Sequence, residues 1–251
     1  MLFKYNGGGY NMNFYGYDLS SYQQGINYDK LANNGTFAIL KIGEADFKDK
    51  VFETHFAECK KRDLWVGGYY FSHATTVEQA KQEALRCLAY IKGKEHDFDM
   101  PIFIDVESKE QMKLGKDKLA DIIIAFCDTI KKNSECLYGV YSNPSFFENY
   151  INKNKILARR DIQVWLAHWT EDPNRPSKYN YGQKVWQWGL TKIDGMSVDG
   201  DVSFISYEPK DKTVKATIHY RGHIELPNIC SSCAEEIKKT LEKQGYTVII
   251  E

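Results

Sequence analysis

From residue 14 onward the chain switches repeatedly between runs that read with a period of two and runs that read with a period near 3.6. "FYGYDLS" (14–20), "FAILKIG" (37–43), "LWVGGYYFSH" (64–73), "MPIFIDVE" (100–107), "CLYGVYSN" (136–143) and "IQVWLAHW" (162–169) are apolar or alternating and predict strands. Helical patterns separate several of them. "DKVFETHFAECKKRD" (49–63) puts Val51, Phe52, His55, Phe56 and Cys59 on one side, so His55 reads as a packed or rim histidine rather than a ligand. "TTVEQAKQEALRCLAYIKG" (75–93) has Thr76 as N-cap and Gly93 as stop, and "KDKLADIIIAFCDTIKKN" (116–133) follows the same period. "PSFFENYINKN" opens a helix with proline in its first turn. "KVWQWGL" (184–190) and "DVSFIS" (201–206) predict two late, short strands without strong helices between them.

Strand–helix alternation implies parallel strands joined by helical crossovers. The count is about eight strands, which fits an α/β fold: an irregular β/α barrel over residues 12–207, degenerate in its last third. Chemistry in such barrels sits at the C-terminal ends of the strands. A polar linker at 208–212 follows. Residues 213–251 then predict a small α+β module: a strand or hairpin about Arg221-Gly222, a helix capped by Ser231 or Ser232 and stopped at Gly245, and a last strand. At this size independent folding is marginal. Cell-wall binding or self-association into a homo-oligomer is the expected role of the module. Residues 1–11 show no period, cap or motif, and their triple glycine is costly to order. They read as a disordered or non-native leader, with Met12 as the expected start.

Composition narrows the partners. A formal net charge of -1 gives no case for nucleic acid or a membrane surface. No run is long and apolar enough to span a bilayer, and no basic start leads into an apolar stretch, so synthesis in the cytoplasm without a signal peptide is expected. Aromatic residues make up 14% of the chain, with 17 Tyr and 5 Trp; each joins a flat apolar face to a polar handle, as sugar and protein sites require. Cys59, Cys87, Cys127 and Cys136 are scattered and read as free buried thiols, whereas the lone Cys230–Cys233 pair is a weak zinc or redox signal and reads as plain thiols.

Polar and aromatic residues recur at the same end of successive strands: Asp18; Lys41 and Glu44; Tyr69, Tyr70 and Phe71; Asp105 and Glu107; Tyr141 and Asn143; Trp165, His168 and Trp169; Gln187 and Trp188; Asp201. Asp105 and Glu107 stand two apart, which on a strand points both to one face. Like charges in a half-buried site raise one pKa and leave a neutral acid able to donate a proton near neutral pH. Glycoside cleavage needs such an acid beside a second carboxylate. Asp18 and Asp201, on the first and last strands, would meet across a closed barrel. Taken alone, a D-x-E is as well explained by solvated strand-end charges, or by a hard cation held among several acids. With no His cluster and no calcium-type loop, no metal and no cofactor is expected.

These segments together resemble family 25 of the glycoside hydrolases, the lysozymes of phage endolysins and bacterial autolysins. "YGYDLSSYQ" resembles the family's opening G-[IV]-D-[VI]-S-x-[WYH]-Q. "LKIGEADF" with "GGYYFSH" resembles its second and third strands, "PIFIDVE" its catalytic strand, "VYSNPSFF" and "WLAHW" its fifth and sixth, and "VWQWG…IDGMSVDGDVSF" its close. The resemblance spans roughly residues 14–206. It implies hydrolysis of the β-1,4 bond between N-acetylmuramic acid and N-acetylglucosamine in bacterial peptidoglycan, acting on the wall after release from the host cytoplasm. It assigns Glu107 as proton donor, Asp105 as its partner, and Asp18 and Asp201 as supporting carboxylates. Glu44, Tyr70, Tyr141, Trp165 and Gln187 would bind substrate. A catalytically silent wall-binding barrel, or a glycosidase of another polysaccharide, are the rival expectations. The chain departs from the pattern at Ala45, where the family usually has Gly, and at His168, where a small or apolar residue is usual.

Overall fold

The computed structural model describes residues 13–208, 213–219, 223–242 and 247–250. The leader, the turn at Arg221-Gly222 and Gly245 therefore lie outside the described residues. The chain divides into two units, Met1–Ile205 and Ser206–Glu251.

The first unit runs β1 (Phe14–Leu19), α1 (Tyr28–Asn34), β2 (Phe37–Glu44), β3 (Phe47–Lys48), α2 (Phe52–Lys60), β4 (Trp65–Phe71), α3 (Val77–Tyr90), β5 (Ile102–Asp105), α4 (Lys116–Asn133), β6 (Tyr138–Ser142), α5 (Pro144–Asn149), α6 (Lys153–Leu157), β7 (Gln163–Ala167), β8 (Val185–Ile193) and β9 (Met196–Ser203). The sheet order is β1-β9-β8-β7-β6-β5-β4-β2-β3, and a further β1–β2 pairing closes it into an eight-stranded barrel with β3 as an appendage. Strands β1, β2 and β4 to β8 run parallel. β9 is antiparallel to both of its neighbours, β8 and β1.

That antiparallel strand corrects the all-parallel expectation. β8 and β9 form a hairpin, with Ile193 paired to Met196 across Asp194-Gly195. Both turn residues have positive φ, 51° and 85°. Such a two-residue turn matches the twist of the flanking strands, and Asp-Gly is among its strongest signals. The last strand consequently starts at Met196 rather than 201. The helix expected after Pro144 is two short helices, α5 and α6.

Side chains alternate across the strands. Tyr17, Leu19, Leu40, Ile42, Val66, Tyr70, Ile104 and Val140 face outward and form one buried cluster with the helices. α4 supplies Leu119, Ile122, Ile123, Phe126 and Ile130 to it; burying each such side chain is worth about 1.5–3 kcal/mol. α3 starts at the expected capping box, with Gln79 N donating to Thr76 Oγ1 at 3.2 Å. The barrel interior is filled by large rings against glycines. A Cβ on Gly16 would come within 2.5 Å of the Phe37 ring, and one on Gly139 within 2.7 Å of Phe103. Those two strands therefore carry glycine where their neighbours carry phenylalanine.

The second unit has β10 (Thr213–His219), β11 (His223–Cys230), α7 (Ser231–Glu242) and β12 (Thr247–Ile250) in an antiparallel sheet of order β11-β10-β12.

Candidate active site

The C-terminal strand ends open into a cleft of about 380 Å³, walled by Asp18, Lys41, Glu44, Tyr69, Phe71, Asp105, Glu107, Tyr141, Trp165, Gln187 and Asp199. A second chamber of about 440 Å³ is walled by Asn143, Ala167, His168 and Trp169. Glu107, Tyr141, Gln187 and Asp199 belong to both. The chambers thus form one groove, with Glu107 where they join.

The floor is a hydrogen-bonded lattice. Trp165 is buried, with its ring 4.3 Å from Tyr141, 5.3 Å from Phe103 and 6.0 Å from Tyr69. Its Nε1 donates to Asp201 Oδ1 at 2.8 Å. Gln187 Nε2 donates to Asp18 Oδ2 at 2.8 Å, while its Oε1 accepts from the Tyr141 hydroxyl at 3.1 Å and from Trp169 Nε1 at 3.0 Å. Trp169 Nε1 can only donate, so it fixes the orientation of the Gln187 amide, with Oε1 towards the indole and Nε2 towards Asp18.

Five carboxylates crowd this lattice. Asp18, Asp105 and Asp201 are buried, and burial is the largest influence on each. Asp18 is pushed up to about 7 by desolvation and then by Asp199, although the Gln187 hydrogen bond pulls the other way. Asp105 is raised well above the usual carboxylate range by desolvation and then by Glu107. Asp201 is raised likewise, by desolvation and then by Asp18. Glu107 stands exposed at the mouth, yet enough protein surrounds its carboxyl that desolvation raises it, and Asp199 adds to this. Lys41, ion-paired with Glu44, is the cation whose charge opposes the shifts of both Asp105 and Glu107. Asp105 Oδ1, Asp199 Oδ1 and Asp201 Oδ2 are buried with no hydrogen-bond partner. Burial without a partner disfavours the bare anion, which is why desolvation is the largest influence raising all three of these acids. Among the described residues, no group of three or more His, Cys, Asp or Glu is arranged to hold a metal ion.

Backbone pins hold Glu107 from both sides. Ser142 Oγ donates to Val106 O at 2.6 Å, and Ser108 N donates to Gln111 Oε1 at 3.1 Å. Buried Gln111 in turn donates through Nε2 to Ser72 O and Ala74 O, both at 3.3 Å. His55, buried, ties the loop after β1: its Nε2 donates to Ser20 O at 3.0 Å, while Nδ1 accepts from Tyr28 at 2.9 Å.

The structure brings Asp18, Asp105, Glu107, Glu44, Tyr141, Trp165 and Gln187 to the groove wall. Asp201 lies beneath it, fully buried against Trp165. Tyr70 is the correction. It points outward into the helix layer, 6.3 Å from Phe126, with its hydroxyl on Ala45 O. Tyr69, one residue earlier, takes the inward place, because side chains alternate and Phe71, two residues on, also faces the cleft. Sequence reasoning misses Asp199, although it lies two residues before Asp201 and so shares its face. Glu107 lies two residues past the end of β5, so its aim depends on the loop pins rather than on strand geometry.

A barrel closed by one antiparallel strand, with several acids at the C-terminal ends of its parallel strands, is an architecture that glycoside hydrolases use. Residues 17–195, well over half of the chain, match the family model "Glycosyl hydrolases family 25", and the chain belongs to that family. Comparison with curated proteins gives no match. Among solved structures, the chain is similar to the spore cortex lytic enzyme SleM of Clostridium perfringens, at TM-score 0.66 and 20% identity over 95% of this chain and 86% of that one. A family 25 glycosyl hydrolase from Bacillus anthracis gives TM-score 0.63 and 21% identity over 77% of this chain and 89% of the other. The CTP1L endolysin gives 0.63 and 22%, and the match spans 77% of this chain but only 66% of the endolysin. Among the described residues, no helix is long and apolar enough to cross a membrane.

Proposed function

We propose that this protein is a muramidase that hydrolyses the β-1,4 bond between N-acetylmuramic acid and N-acetylglucosamine in bacterial peptidoglycan, and that it serves as an endolysin in host lysis. The observation that carries this reading is Glu107, an exposed acid with a raised pKa at the junction of two chambers that together suit consecutive sugars. The family supports the reaction class, and the endolysin neighbour supports the lytic role.

In this mechanism Glu107 delivers its proton to the glycosidic oxygen as the C1–O bond breaks. Positive charge developing at C1 meets the carboxylates of Asp18, Asp105 and Asp199. Water completes hydrolysis by adding its hydroxyl to C1 and giving its proton to a carboxylate of the cluster. Tyr69, Tyr141 and the half-exposed Trp169, held by Gln187, form apolar platforms for sugar rings. The test is reducing-end analysis of digested, purified cell walls. New reducing ends on muramic acid support the reading, and new ends on glucosamine overturn it. A second reading, action on spore cortex, is favoured by one observation: the match to SleM extends over 95% of this chain. Comparing rates on cortex and on vegetative walls separates the two.

A further inference from the structure

One buried acid takes no part in the mechanism. Glu83 lies midway along α3 and walls neither chamber of the groove. Its carboxyl spans the residues that follow β4: Ser72 Oγ donates to Oε2 at 2.6 Å, and His73 N donates to Oε1 at 2.9 Å. Desolvation raises its pKa, and those two hydrogen bonds, then His73 and Arg86, oppose the rise. A carboxylate is costly to bury unless donors meet it, and here both oxygens are met. The loop beside it is fixed as a result. Ser72 gives its one hydroxyl proton to Glu83, and its oxygen accepts from Ala74 N at 3.2 Å.

Gln111 docks on that same loop. It is fully buried, its Nε2 donates to Ser72 O and Ala74 O at 3.3 Å each, and its Oε1 accepts from Ser108 N at 3.1 Å. These partners are two carbonyls, which only accept, and one N–H, which only donates. The opposite amide orientation would set oxygen against both carbonyls and N–H₂ against N–H. Ser108, the residue after Glu107, is thus placed by the exit of β4. On the other side of Glu107, Val106 N donates to Tyr141 O at 3.0 Å and Val106 O accepts from Ser142 Oγ at 2.6 Å. The path Glu83–Ser72–Gln111–Ser108 runs through buried residues from the helix layer to the neighbour of the acid.

We propose that Glu83 is a positioning residue for the proton donor: through Ser72 and Gln111 it holds the loop after β5 so that the Glu107 carboxyl is aimed at the glycosidic oxygen. This rests on the muramidase reading with Glu107 as its acid. Glu83 touches no sugar and carries no proton in the reaction. Breaking the path would free the Ser108 side of the loop while Val106 stays pinned, which swings the carboxyl without moving the strand. Misplacing a reacting group by about 1 Å can cost on the order of 10²-fold in rate. The loss falls on kcat, because the rest of the groove still binds glycan.

The leaving group separates aim from general stability. A wall glycan departs as a poor alkoxide and needs the proton, whereas a dinitrophenyl β-glycoside of a muramic-terminated glycan departs as a stable phenolate without one. In the full chain, Glu83→Gln leaves one acceptor for two donors, and Gln111→Met removes the amide. Each, once shown to be folded by tryptophan fluorescence, should lower kcat on purified walls by roughly 10–100-fold with KM little changed, yet keep most of its rate on the aryl glycoside. The two losses should not multiply in the double variant, since both break one path. Equal losses on the two substrates, or kcat on walls unchanged in both variants, overturn the proposal. Should Glu83→Gln fail to fold, Gln111→Met and Ser72→Ala make the same comparison. Glu107→Gln is the control: it should fall on walls and spare the aryl glycoside. Equal loss on both substrates in that control would overturn Glu107 as the acid, so failure of the reading is told apart from failure of the proposal.

Discussion

Replacing Asp18 with asparagine should stabilise the barrel at alkaline pH and abolish activity. Asp18 is buried, and its pKa is raised from 3.8 to about 7. The folded state therefore holds this proton more tightly than the unfolded chain. Below pH 3.8 both states are protonated and the group contributes nothing. As pH rises from about 4 to about 7, the unfolded chain ionises freely while the fold resists, so stability falls. Above that the penalty is complete. Roughly 3 pH units at ~1.4 kcal/mol each gives about 4 kcal/mol as an upper limit. Asp201 draws on the same proton, so the effect is counted once for the pair. The introduced asparagine would keep the acceptor for Gln187 Nε2, and its amide could donate to the neighbouring Asp201 carboxyl in place of the shared proton. For a barrel of this size each kcal/mol moves Tm by roughly 2–4 °C. All 5 tryptophans lie in the first unit, so their fluorescence follows the barrel alone during melting of the full chain. The gain from Asp18→Asn should be near zero at about pH 4 and several degrees at about pH 8. A gain of equal size at both pH values, or a loss under the alkaline condition, would refute the reasoning.

Glu107→Gln should fold normally and lose roughly 10²–10⁴-fold in kcat on purified walls, the usual worth of general acid catalysis; retention of a tenth of the activity would remove it as proton donor. Asp199→Asn removes the charge that, after burial, holds up the Glu107 pKa. A general acid works only while protonated, so the alkaline limb of the pH–rate profile should move to lower pH, and an unmoved limb would show that Asp199 does not reach Glu107 electrostatically. Ala45 has φ 45°, a left-handed conformation in a non-glycine residue, held by Tyr70 and Arg86 on its carbonyl. Ala45→Gly should therefore raise stability by up to ~1 kcal/mol, measured by thermal melting, and a lower Tm would mean that the strain is already relieved. Treatment with EDTA should leave the rate on walls unchanged, and strong inhibition would favour a cation among the carboxylates.

Much of the barrel is legible from periodicity because each helix buries one stripe. α4 shows its bounds in the sequence since Leu119, Ile122, Ile123, Phe126 and Ile130 fall on a single face. The β8–β9 hairpin is equally visible in "IDGM", but an expectation of parallel strands outweighs the turn chemistry of Asp194-Gly195. At "GGYYF" the period gives two possible faces, and nothing local chooses between Tyr69 and Tyr70. The choice is made by the helix layer, where Phe126 packs on Tyr70. The groove's second chamber is least legible. It depends on the long segment between β7 and β8, whose 170–183 stretch lacks either period, and on loop hydrogen bonds such as those of Gln111.

The closing strand has a consequence for the order of events in folding. β1 pairs with β2 nearby in sequence, but also with β9, so Asp18 stands opposite Asp199. The ring cannot shut until nearly two hundred residues have left the ribosome, and contacts of such long sequence separation form slowly. Its final act also brings the acids together. Desolvation of Asp18 and Asp201 thus falls on the last step rather than the first, and closure should run faster in mild acid, where those groups arrive already protonated. A nascent chain accordingly has no assembled cutting edge: the groove comes into being only as the two ends of the sheet meet.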